Sequence, residues 1–88
     1  MRTLVVDNEA DIRQSVVDLI SAFCPDITEI VEANSVDSGI AKIASYKPDV
    51  VFLDVELGDG TAMDLLSKLD KIDFHLIFIT AHNKYAID

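Results

Sequence analysis

The chain has 88 residues, half of them hydrophobic, with 7 Lys and Arg against 16 Asp and Glu and a net charge of −9. That length allows one domain with a small core, and the apolar content with only 3 Gly and 2 Pro excludes a disordered chain. The acidic balance excludes nucleic-acid binding by a basic patch and suits a cation site or a basic partner surface.

Met1-Arg2-Thr3 leads directly into a strand pattern over Thr3 to Asp7. This start is neither a signal peptide nor an apolar stretch able to span a bilayer, so no membrane partner and a cytoplasmic location are expected. Glu9 to Cys24 reads as a helix that turns Ile12, Val16, Leu19, Ile20 and Phe23 to one face. Glu9 and Asp11 suit the start of its dipole, and Pro25 stops it. Cys24, the single cysteine, excludes an internal disulfide, fits a reducing compartment and is expected as a small buried hydrophobe. Ile27 to Ala33 forms a second strand whose mixed polarity suggests a sheet edge.

Asn34 or Ser35 can cap the next helix, which carries Val36, Ile40, Ile43 and Ala44 inward. A third strand, Asp49 to Asp54, contains the uninterrupted apolar run Val50-Val51-Phe52-Leu53, as in a strand buried on both faces. Leu57-Gly58-Asp59-Gly60 is a turn in which Asp59 is most simply a turn residue. Thr61 to about Leu69 is a short helix with a Thr61–Asp64 capping box. Phe74 to Thr80 forms a fourth strand, and Asn83 to Asp88 can begin another helix. Strands alternating with helices imply a parallel sheet with helices on both faces and right-handed crossovers, an α/β architecture.

Ligands of open parallel sheets bind outside the carboxyl ends of the strands. There the chain places Asp7-Asn8-Glu9, Asp54 and Thr80. Crowded carboxylates repel one another, and a hard divalent ion such as Mg²⁺ relieves that repulsion. One ionised carboxylate can then attack phosphorus, with Thr80 donating a hydroxyl hydrogen bond to a phosphoryl oxygen. Each residue also has a plainer role: Glu9 as a first-turn acid, Thr80 as a β-branched strand residue, Glu56 as a solvated loop acid. His75 and His82 have no partner at metal-ligand spacing.

Leu4-Val5-Val6-Asp7-Asn8-Glu9, Val50 to Asp54 and Phe78-Ile79-Thr80-Ala81 together resemble the receiver domain of bacterial two-component response regulators across the whole chain. Asp54 to Gly60 and Thr80-Ala81-His82, with Tyr85-Ala86, resemble receivers joined to LytTR-type DNA-binding domains. The resemblance implies a flavodoxin-like, doubly wound sheet of order 2-1-3-4. It makes Asp54 the phosphoacceptor for a histidine kinase and Thr80 the switch hydroxyl. It assigns Mg²⁺ to Asp7, the position of Asn8, Asp54 and the backbone carbonyl of Glu56. Asn8 stands where the family usually has a second Asp, so weaker Mg²⁺ binding and slower phosphorylation are expected.

The family also has a fifth strand, ending in a lysine, and a fifth helix. Lys84 lies too early to be that lysine, and residues 1–88 are expected to form one C-terminally incomplete receiver-like domain. Strand four is then expected to leave an apolar edge, which a second copy of the chain is one candidate to cover. Two other functions stand beside phosphoacceptance. One is a non-phosphorylated interaction or dimerisation module. The other, ranked low, is a phosphatase using Asp54 as nucleophile, for which Glu56 stands at the right offset but is the wrong residue type.

Overall fold

The computed structural model describes residues 1–79. Thr80, His82, Lys84, Tyr85 and the expected terminal helix lie outside the described residues. In chain order the elements are β1 (Arg2–Val6), α1 (Ala10–Phe23), β2 (Glu29–Ala33), α2 (Val36–Tyr46), β3 (Val50–Asp54), α3 (Ala62–Ser67) and β4 (His75–Ile79). All four strands pair in parallel in the order β2-β1-β3-β4, as the sequence leads one to expect.

The apolar runs become strands because they have helix-covered faces to fill. Alternation along β1 and β3 sends Leu4, Val6, Val51 and Leu53 to one face, where they pack with Val36 of α2 and Ala62 and Leu65 of α3. Gly39 brings α2 close. A Cβ built there would lie 2.8 Å from Leu65 Cδ1 and 3.3 Å from Val6 Cγ1, so only a residue without a side chain fits unmoved. Both helices on this face begin with capping boxes, Ser35 with Ser38 and Thr61 with Asp64.

The opposite face is more thinly covered. Ile20 is the one fully buried residue of α1. Leu19 and Phe23, expected on the inward face, are 59% and 76% exposed, because α1 meets the sheet chiefly at β1 and the described residues put nothing over its flank. Ala44, also expected inward, is exposed: α2 fully buries Val36 and Gly39, and Ile40 and Ile43, not Ala44, pack against the core further along. Cys24 is half-buried. As sheet edges, β2 and β4 are the least buried strands, and Ile77 and Phe78 of β4 are 44% and 51% exposed among the described residues.

Candidate functional site

The register of the central strands makes the site. β1 and β3 pair through Val6 and Leu53, and the next residue on each is an aspartate, Asp7 and Asp54. Adjacent strands run about 4.8 Å apart, so two carboxylates share one end and one face of the sheet. Each is only 1% exposed. Burying two neighbouring carboxylates is unfavourable unless charge or hydrogen bonds offset it.

Asp7 is held from three sides. Its N–H donates to Ala33 O at 3.1 Å, fixing it to the end of β2. Its carbonyl accepts from Arg13 Nη1 at 2.7 Å, and its Oδ1 accepts the Glu9 N–H at 2.9 Å. That last bond turns the chain into α1 and leaves Glu9 as an exposed N-cap whose own side chain makes no capping bond. Asp7 Oδ2 is buried with no hydrogen-bond donor among the described residues.

Asn8 is exposed and borders the loop after β3. Gly58 of that loop has φ +83°, and a Cβ there would lie 3.3 Å from Asn8 Nδ2, so backbone and amide approach closely. Two loop bonds, Ala62 N–H to Val55 O and Leu57 N–H to Gly60 O, each 2.9 Å, flank Glu56 and leave its carbonyl out of the pairing. The Glu56 side chain is exposed. Thr80, the remaining expected member, lies outside the described residues.

Sequence reading missed two residues that shape this end of the sheet. Arg13 also donates from Nε to Glu32 Oε1 at 2.8 Å, joining α1 to β2 beside Asp7. Asp59 is more than a turn residue: its Oδ1 accepts the Val36 N–H at 2.9 Å and its Oδ2 the Asp37 N–H at a longer 3.5 Å. The Val36 bond is the main reason its carboxyl lies below the usual carboxylate range. Neither partnership has a local sequence signal. The only hint is that Ser35 can cap one amide of α2, leaving others to find acceptors elsewhere.

The donor set suits a small hard cation. An orphaned buried carboxylate oxygen, a second buried carboxylate, an amide and a backbone carbonyl are all oxygen donors of the kind Mg²⁺ takes. Among the described residues there is no group of three or more His, Cys, Asp or Glu that could hold a metal ion.

Comparison with known proteins places this geometry in a family. The family model for the response regulator receiver domain matches residues 3–87. Over 99% of its length the chain is 36% identical to the sensory transduction protein LytT of Enterococcus faecalis and 35% identical to LytR of Staphylococcus epidermidis. It spans about a third of each, 36% and 35% of their lengths. Among solved structures, the response regulator domain of Thermotoga maritima CheB superposes with a TM-score of 0.80 at 27% identity, covering 91% of this chain and 60% of that one. Sequence, sheet order and the paired aspartates agree: the chain belongs to the response regulator receiver domain family.

Proposed function

We propose that the chain accepts a phosphoryl group from a histidine kinase onto Asp54 and uses that charge to switch an output. The observation that carries this reading is the buried pair Asp7 and Asp54 at adjacent strand ends, with Asp7 Oδ2 lacking a donor. Asp7, Asp54, the Asn8 amide and the Glu56 carbonyl would hold Mg²⁺. When bound, Mg²⁺ supplies positive charge that offsets the carboxylate repulsion and the charge on the transferring phosphoryl oxygens.

The chain's own residues do the rest. Asp54 is the nucleophile: one carboxylate oxygen forms a bond to phosphorus as the phosphorus–nitrogen bond to the kinase histidine breaks, leaving a neutral imidazole and an acyl phosphate. Asp7 stays fixed by Ala33, Glu9 and Arg13, which keeps its second oxygen aimed without reorganisation. Thr80, two elements on in the chain, is the proposed hydroxyl that follows the new charge, a local event biasing a two-state loop. On this reading the chain is a phosphoacceptor rather than an enzyme with turnover, and its setting is the cytoplasm. No helix among the described residues is long and apolar enough to cross a membrane. Residues 1–88 act as one receiver-like domain, matching about a third of the length of its relatives.

A second reading, a non-phosphorylated interaction module that pairs through β4, is favoured by the exposure of Ile77 and Phe78. Beryllofluoride with Mg²⁺ separates the two. A fluorine NMR signal of bound analogue, lost in Asp54→Ala, supports the phosphoacceptor. Absence of a bound signal at saturating Mg²⁺, with a concentration-dependent dimer, supports the module.

A further inference from the structure

The loop after β3 is tied to the neighbouring helix. α2 packs beside α3 and over β1, so Asp59, just before α3, meets the start of α2 at the carboxyl end of the sheet. That end holds Asp7 and Asn8. Three observations describe the tie. Asp59 accepts the Val36 N–H at 2.9 Å across 23 residues of sequence. Gly58, its neighbour, takes φ +83° and lies against the Asn8 amide. Leu57, the next residue back, is 1% exposed and anchors the other end of the strap in the core.

The division of work at the α2 terminus explains why the tie holds. Ser35 Oγ accepts the Ser38 N–H at 3.0 Å, and Ser38 Oγ accepts the Ser35 N–H at 3.0 Å. The Val36 and Asp37 amides are left over, and both point to Asp59. A carboxylate also gains from the positive end of the helix dipole. The helix is therefore capped locally by Ser35 and from a distance by Asp59.

We propose that Asp59 is a positioning residue for the cation site: its carboxylate, held by the α2 amides, straps the Glu56–Asp59 loop over Asn8 and fixes the Asn8 amide and Glu56 carbonyl relative to Asp7 and Asp54. The inference rests on the Mg²⁺ reading above. Mutating the strap changes how well the oxygens are preorganised while every ligand remains in place.

The test is Mg²⁺ binding by calorimetry on the full chain, without any phosphodonor, alongside NMR of the Asn8 side-chain amide. Asp59→Ala is expected to weaken Mg²⁺ about threefold to tenfold, the scale of a lost helix cap. Asp59→Asn keeps an oxygen for the Val36 N–H and is expected to restore most of the affinity. Ser35→Ala removes the local cap of the same helix and is expected to lower the melting temperature with Mg²⁺ affinity unchanged. Wild-type affinity in Asp59→Ala, or equal weakening by Ser35→Ala, overturns the proposal. If Asp59→Ala does not fold, Asp59→Glu, which keeps the charge but shifts the oxygens by one methylene, takes its place with the same two outcomes. If the wild-type chain takes up no Mg²⁺, the functional reading falls, and the strap is decided by the Asn8 amide signals. Movement in Asp59→Ala but not in Ser35→Ala supports it, and no movement overturns it.

Discussion

Arg13 Nη1 donates to the main-chain oxygen of Asp7 at 2.7 Å while Nε of the same guanidinium donates to Glu32 Oε1 at 2.8 Å. One planar fork therefore spans the first turn of α1, the end of β1 and the edge strand β2. The Arg13 side chain is only 17% exposed, whereas Glu32 is 41% exposed. The two arms should differ in worth: a charged donor on a part-buried carbonyl contributes about 1.5–3 kcal/mol, an exposed ion pair about 0–1 kcal/mol.

Arg13→Ala is accordingly expected to destabilise the chain by about 2 kcal/mol in urea unfolding, and Glu32→Ala by no more than about 0.5 kcal/mol. Similar losses from both variants would show that the ion pair, not the bond to Asp7, does the holding.

Gly39 is the close-packing point of α2. Alanine there gains helix propensity of about 0.8–1 kcal/mol but drives a Cβ to 2.8 Å from Leu65 Cδ1, in a core where Leu65 is fully buried. Overpacking of this kind costs about 1–3 kcal/mol, so Gly39→Ala should be net destabilising by about 1 kcal/mol. A raised melting temperature would mean that the core yields more easily than its packing indicates.

Asn8 offers a neutral oxygen where a carboxylate would add charge. Asn8→Asp is expected to tighten Mg²⁺ about tenfold by calorimetry, because ligand charge tunes such sites. It should also lower metal-free stability by about 0.5–1 kcal/mol, since a third carboxylate then crowds Asp7 and Asp54. Unchanged Mg²⁺ affinity would place Asn8 outside the cation shell.

Asp59 gives the fold a pH dependence with a definite sign. The Val36 N–H bond holds its carboxyl below the usual carboxylate range in the folded chain. A depressed carboxyl pKa contributes stability that is complete above the unfolded value and is lost as pH falls through the folded one. The melting-temperature advantage of wild type over Asp59→Asn should thus be constant from pH 7 to about 5 and shrink below about pH 4. An advantage that persists unchanged at pH 3 would contradict the capping role.

Much of this was legible in the sequence, and the residues show why. Val50 to Leu53 and Leu4 to Val6 announce themselves because a strand covered on both faces leaves no polar position, and Asp7 and Asp54 stand out as the charges that end those runs. The Thr61–Asp64 box was readable because its partners are three residues apart. Asp59 and Arg13 were not: Val36 and Glu32 lie on other elements and become neighbours only in the fold, and the Arg13 bond to Asp7 goes to a main-chain oxygen, which no residue type announces. Leu19 and Phe23 misled for a related reason: helical spacing says which residues share a face, not how much of that face the sheet covers.

The most direct test of the account is phosphorylation of the full chain by acetyl phosphate, with the labelled residue trapped and located by mass spectrometry. The account predicts a single acyl phosphate on Asp54 that requires Mg²⁺ and disappears in Asp7→Ala, with Asp54 itself still present. Label on another carboxylate, label independent of Mg²⁺, or no label at saturating Mg²⁺ would contradict it.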